Sequence, residues 1–204
     1  MELAAKEAVE RATEWMNMNF VAGGGTNILL PLNQAIEMLS NARSSTPIIF
    51  LVTDGAVEDE RQICDVMRTH LKDRGSKCPR IYTFGIGVFC NHYFLRMLAM
   101  ISRGHYDAAY DVDLVEARLE KLFFKASSVI LSDITFDSLD NLDDLEVFPS
   151  HVPDLSSDGP INVSGRYRGD FPDTFKAKGV LANSNTLVID LKVHNAKDIP
   201  LDRV

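Results

Sequence analysis

Two periods of apolar residues alternate along the first part of the chain. Residues 3–20 set Ala5, Ala8, Val9, Ala12, Trp15 and Met16 on one helical face. A second helix is predicted from Pro31 to Ala42, with Leu32, Ala35, Ile36 and Leu39 inward. "PIIFLVTDG" (47–55) is then a continuous apolar run closed by a turn signal. Its length and β-branched content predict a strand buried on both faces, as in a parallel sheet. Glu58 to Arg74 returns to helical spacing through Ile63, Val66, Met67 and Leu71, and "RIYTFGIG" (80–87) reads as a second buried strand. Asn91 is placed to cap a helix running to Arg103, with Gly104 as its stop. "HYDAAY" (105–110) predicts a short third strand, and Asp113 a cap for a last helix to about Lys125.

Strands alternating with helices imply an open, doubly wound parallel sheet with helices on both faces. After Ser127 the period changes. "VILSDITF", "INVSGRYR", "DTFKAKGVL" and "TLVIDLKVH" are β-rich, and "ANSN" (182–185) suits a hairpin loop between the last two. The predicted organisation is an α/β unit over 1–126 and a β-rich, sandwich-like unit over 127–204.

Charge sharpens that division. The first unit carries 14 basic and 16 acidic residues, the second 7 and 13, giving −8 in all. Such a balance argues against nucleic acid or an anionic membrane as partner. No apolar run approaches a membrane span, and the charged, amphipathic start "MELAAKEAVERATEWM" is unlike a signal peptide. Cys64, Cys78 and Cys90 show no tight spacing, which predicts free thiols and favours an intracellular setting.

Candidate chemistry concentrates in two loops. "AGGGTNILL" (22–30) runs three glycines into Thr26 before a helix, and Asp54-Gly55 ends the first strand. Ligands of open parallel sheets bind beyond the carboxyl ends of the strands. Taken separately, each loop also has a plain reading: a turn at Asp54-Gly55, and a flexible loop with Thr26 or Asn27 capping the helix. The phosphate-loop reading is poor because no lysine follows the glycines, and "GIG" (85–87) is a weak dinucleotide signal that lacks the third glycine and the acidic residue. The acidic stretch "DSLDNLDD" (137–144) lacks calcium-loop spacing and reads as a solvated loop. The sequon Asn162-Val-Ser164 falls on a predicted strand, and the five histidines show no ligand spacing.

A Gly-Gly-Thr loop, a helix, a strand ending Thr-Asp-Gly and a strand ending Gly-Ile-Gly together resemble the von Willebrand factor A domain. "TFGIGVFCNHYFLRMLAMISRGHYDAAYDVD", "KLFFKASSVILSDITFD" and "DGPINVSGRYRG" are similar to the inter-alpha-trypsin inhibitor heavy chain-like family, nearest its plant-type members. The resemblance implies a non-enzymatic protein-binding module with a metal-ion-dependent adhesion site. Thr26 and Asp54 would be Mg²⁺ ligands, Gly24, Gly25 and Gly55 the loop scaffold, and a partner's acidic residue would complete the shell.

The family's D-x-S-x-S loop, which supplies two serine ligands, occurs nowhere in this sequence. The expectation is therefore an N-terminally truncated A domain with a partial, weak Mg²⁺ site. Without a preceding strand, Ile48, Ile49, Leu51 and Val52 would lie on an open sheet edge suited to self-association. Two alternatives stand beside this: a Mg²⁺-dependent phosphoryl hydrolase using Asp54, and a truncation product without function.

Overall fold

The computed structural model describes residues 5–21, 23–40, 46–74, 78–137, 139, 142–149, 151–157, 159–181, 183 and 185–194. Ala22, Ala42, Ala182, Ser184 and three positions of the acidic stretch lie outside the described residues. Helices α1 (Lys6–Asn19) and α2 (Leu29–Leu39) precede strand β1 (Ile48–Thr53). Next come α3 (Glu60–Arg74), β2 (Arg80–Ile86), α4 (His92–Ile101), β3 (Tyr106–Ala109) and α5 (Val115–Ser127). The remainder is strands: β4 (Val129–Asp137), β5 (Asp143–Phe148), β6 (Leu155–Ser156), β7 (Ser164–Arg168), β8 (Thr174–Leu181) and β9 (Thr186–Lys192).

The α/β part is a parallel sheet of order β1-β2-β3 with helices on both faces, as the alternation predicts. Strand side chains divide by parity. Ile49, Leu51 and Ile81 pack with Leu32, Ile36, Ile63, Met67, Leu95 and Leu98 from α2, α3 and α4. Ile48, Phe50, Tyr82 and Phe84 face Leu122 and Ala126 of α5. β2 is buried along nearly its whole length because it is flanked on both edges and both faces. Two buried hydroxyls lock α4 onto it. Thr83 Oγ1 donates to Leu95 O at 2.9 Å, and Ser102 Oγ accepts from Ile81 N at 3.3 Å while donating to Leu98 O at 2.7 Å.

Several local expectations need correction. β1 is only half-buried, with Val52 44% exposed, because among the described residues it has a neighbour on one edge alone. A 3₁₀ turn (Val112–Leu114) leads into α5 and is capped by Asp111, whose carboxylate accepts from Asp113 N at 3.2 Å; α5 itself starts after Leu114 with no side-chain cap, so Asp113 is not the cap. Asn91 does cap α4, accepting from the amides of Tyr93 and Phe94. The left-handed residue ending α4 is Arg103 (φ 60°) rather than Gly104. Gly104 serves a different need: a Cβ there would lie 1.9 Å from Ile81 O. The acidic stretch does not end as a loop, since Asp143 and Asp144 open β5 opposite Arg168 of β7. Asn162 lies before β7 rather than on it. α1 forms, yet none of its residues is buried; Trp15 is 61% exposed.

In the β-rich part, β6-β4-β8-β9 form one antiparallel sheet and β5-β7 a second. A buried ion-pair network joins this part to the parallel sheet. Arg80, 2% exposed at the start of β2, donates from Nε to Asp154 Oδ2 at 2.8 Å and from Nη2 to Asp154 Oδ1 at 3.2 Å. Nη2 also reaches Asp133 Oδ1 at 3.3 Å, and Arg103 Nη1 donates to that same oxygen. Burial works against the Arg80 charge. The hydrogen bond and charge of Asp154, with Asp133 beyond it, outweigh that effect and hold the arginine pKa above its ordinary value. Removing one partner of a buried pair leaves an uncompensated charge, which costs about 3–5 kcal/mol. Asp154→Ala is therefore expected to lower the urea midpoint by that equivalent, whereas replacing Arg80 and Asp154 together by Met and Leu costs much less; urea unfolding of both variants checks this.

Candidate functional site

The carboxyl edge of the parallel sheet gathers the ends of β1 and β2. Thr53 at the end of β1 is in register with Gly85 of β2. Thr53 Oγ1 accepts from Gly55 N at 3.3 Å and donates to Gly55 O at 3.2 Å, which fixes the turn that presents Asp54. The glycine loop comes to the same place. Gly24 (φ 78°) turns it, Gly25 is exposed, and Asn27 Oδ1 accepts from Leu30 N at 3.3 Å to hold the start of α2. Thr26 then packs against Gly55: a Cβ on Gly55 would lie 2.5 Å from Thr26 Oγ1. A Cβ at this position would force the Thr26 side chain to shift. The structure thus brings Thr26 and the Asp54-Gly55 turn together, with both Thr26 and Asp54 exposed.

The donor set can be weighed against a divalent cation. One carboxylate and one hydroxyl supply two oxygens, and Mg²⁺ takes six. Among the described residues, no group of three or more His, Cys, Asp or Glu is arranged to hold a metal. Thr26 and Asp54 fit Mg²⁺ as part of a shell and do not build a cage.

A second cluster lies beside this edge, and it was not read from the sequence. His92 Nε2 lies 2.8 Å from Gly87 O, a pure acceptor, so Nε2 carries the proton. Nδ1 then accepts from Tyr106 OH at 2.9 Å. Cys90 Sγ lies 3.5 Å from Nε2, and the Tyr110 ring centroid lies 4.8 Å from that of His92. A Cβ on Gly85 would meet Cys90 Sγ and His92 Nδ1, both at 2.9 Å. Asn91 adds a tie to α3, donating to Glu60 Oε2 at 2.8 Å. The Cys-x-His spacing after "GIG" was the only local trace of this cluster. Burial pushes the Cys90 thiol up, and the Asp54 charge acts in the same direction. Backbone hydrogen bonds pull the other way without cancelling the rise, so the neutral thiol is favoured over the nucleophilic thiolate.

Of the predicted edge residues, the structure divides the four. Arg80 N donates to Pro47 O at 2.9 Å, which turns the backbone of alternate residues Ile49, Leu51 and Thr53 toward β2. The backbone groups of Ile48, Phe50 and Val52 point away from β2. Ile49 and Leu51 also bury their side chains against α2, α3 and α4.

No protein-family profile matches the chain. It is 29% identical over 147 residues to the human von Willebrand factor A domain-containing protein 5B1, covering 72% of this chain and 11% of that protein. A von Willebrand factor A domain-containing protein of Dictyostelium discoideum is 24% identical over 131 residues, or 64% of this chain and 13% of that protein. This chain is similar in sequence to von Willebrand factor A domains. Two solved structures extend the likeness to the fold. The von Willebrand factor type A protein from Catenulispora acidiphila gives a TM-score of 0.64 at 17% identity, over 93% of this chain and 51% of that one. The ArnB paralog VWA2 from Sulfolobus acidocaldarius gives 0.52 at 19%, over 85% and 47%. The A-type fold accounts for the parallel sheet, and the Thr26 and Asp54 loops lie at its carboxyl edge. The chain aligns with only a small part of its curated relatives, so the activities of those whole proteins are not carried over.

The Cys90 thiol contributes stability as a neutral group. That contribution is complete below its ordinary pKa of 9.0 and is lost as pH rises through the higher folded value. Iodoacetamide at about pH 7 is therefore expected to alkylate Cys90 far more slowly than free cysteine, with the difference removed in denaturing urea; mass spectrometry of the Cys90 peptide reads it out.

Proposed function

We propose that this chain is a non-enzymatic protein-interaction module that binds its partner at the carboxyl edge of the parallel sheet. The observation that carries this is the seating of Thr26 Oγ1 against Gly55, which sets a hydroxyl beside the Asp54-Gly55 turn, with Thr26 and Asp54 both exposed. In this reading both groups are ligands to a weakly held Mg²⁺. An acidic residue of the protein partner supplies a further oxygen, and water or another segment supplies the rest. The likeness to A domains in sequence and fold supports an interaction role. The closer affinity to plant-type inter-alpha-trypsin inhibitor heavy chain-like proteins, an incomplete A domain over 1–126 and a separate β-rich unit over 127–204 belong to the same proposal. Self-association through the outer edge of β1 also belongs to it. There, Ile48, Phe50 and Val52 offer backbone groups with no strand beside them among the described residues.

Mn²⁺, as a paramagnetic substitute for Mg²⁺, tests the site directly. Its titration is expected to broaden the amide resonances of Thr26, Asp54 and Gly55 before any others, with an apparent Kd on the order of 1 mM or weaker. Excess Mg²⁺ should compete, and Asp54→Ala should remove the effect. Broadening centred on Asp143 and Asp144, or unchanged in Asp54→Ala, overturns the proposal.

A further inference from the structure

The opposite end of the α/β part carries a groove that the Thr26–Asp54 edge does not reach. α3 and α4 both begin near the carboxyl edge, where Asn91 bonds Glu60, and both run away from it. The ten residues of α4 separate its two ends by about 15 Å. At the far end, two adjoining cavities of about 780 and 600 Å³ share Met100, Arg103, Pro149 and His151. They lie between the C-terminal turns of α3 and α4 and the segment that follows β5.

The floor of the groove is apolar: Leu71, Met100, Ile101 and Phe148, with Met100 57% and Phe148 59% exposed. Its rim is basic. Arg68 and Lys72 line one cavity, Arg96 and His105 the other, and Arg103 and His151 both. Asp107 is the one acid lining either among the described residues, and Arg118 holds it at 3.0 Å. Arg68 is paired with Asp65 and Arg103 with Asp133. Lys72 and Arg96 have no acidic partner among the described residues; Arg96 lies over the Tyr106 ring at 5.2 Å.

A chain of net charge −8 thus holds a local excess of cations around exposed apolar surface. Solvated cations need no apolar floor, and a purely hydrophobic partner needs no cations. We infer that this groove binds an extended acidic peptide segment, with an apolar side chain on the Leu71–Met100–Phe148 floor and carboxylates on Lys72 and Arg96. This goes beyond the carboxyl-edge reading and uses none of its residues.

Fluorescence anisotropy on the full chain tests it, with a fluorescein-labelled peptide alternating glutamate and leucine as probe. Binding is expected, weakened by added salt and by about tenfold in Lys72→Glu and in Arg96→Glu. Met100→Glu should remove it. These side chains are exposed, and circular dichroism confirms that each variant folds. Thr26→Ala and Asp54→Ala should leave it unchanged, so failure of either site is told apart from failure of the other. The inference is overturned by no binding, by equal binding of a lysine–leucine peptide, or by insensitivity to Lys72→Glu and Arg96→Glu. Equally tight, Lys72-dependent binding to phosphatidylserine vesicles also overturns it, because the surface would then select anions in general.

Discussion

A guanidinium buried where two sheets meet is the constraint around which this molecule is arranged. Arg80 opens β2, the strand that carries both neighbours of the parallel sheet, and its charge has little water to dissipate into. Asp154 meets it with two hydrogen bonds, and Asp133 receives both Arg80 and Arg103. The two aspartates come from the β-rich part, so the charge of one layer is met by carboxylates of the other. An apolar contact between the same layers could slide, whereas a bidentate pair fixes distance and direction together. Asp133 takes a left-handed backbone (φ 51°) at the irregular stretch between β4 and β8, and Arg103 a similar one at the end of α4. Two residues in a sparsely populated conformation are thus joined to each other through the network.

The parts of this arrangement that could be read from sequence are those decided by near neighbours. The β2 run "RIYTFGIG" and the Asn91 cap are local, and both formed where the pattern placed them. The half-buried state of β1 is not legible in its sequence, because an apolar run records what a strand is able to pack against, whereas its actual neighbours determine exposure. β5 begins in the last two residues of the acidic stretch and is not legible locally, because Asp143 pairs with Arg168 of β7 across a long loop. Asp154 stands 74 positions from Arg80, so no window of sequence contains the pair. At the carboxyl edge, Thr26 and Asp54 were legible only through the resemblance of their loops. The Cys90–His92–Tyr106 cluster was missed because Tyr106 enters it from β3, 14 residues after His92.

The A-type fold separates two kinds of surface. At the carboxyl edge, loops carry the chemistry and glycines permit close backbone approach, as at Gly55 and Gly85. At the other end, helix termini and the segment after β5 enclose space without tight packing. β2 and α4 connect them as one rigid unit, tied through Thr83 and Ser102.

Arg103 gives that connection a further meaning. Its guanidinium closes the ionic junction through Asp133, and the same residue lines the groove below α4. An anion that draws Arg103 toward itself competes with Asp133 for one cation, so occupancy of the groove and cohesion of the two layers become thermodynamically linked. The linkage is reciprocal: whatever loosens the junction releases Arg103 for the groove, and whatever tightens it withdraws that charge. One side chain thereby makes the relative stability of the layers a quantity that a bound molecule can adjust.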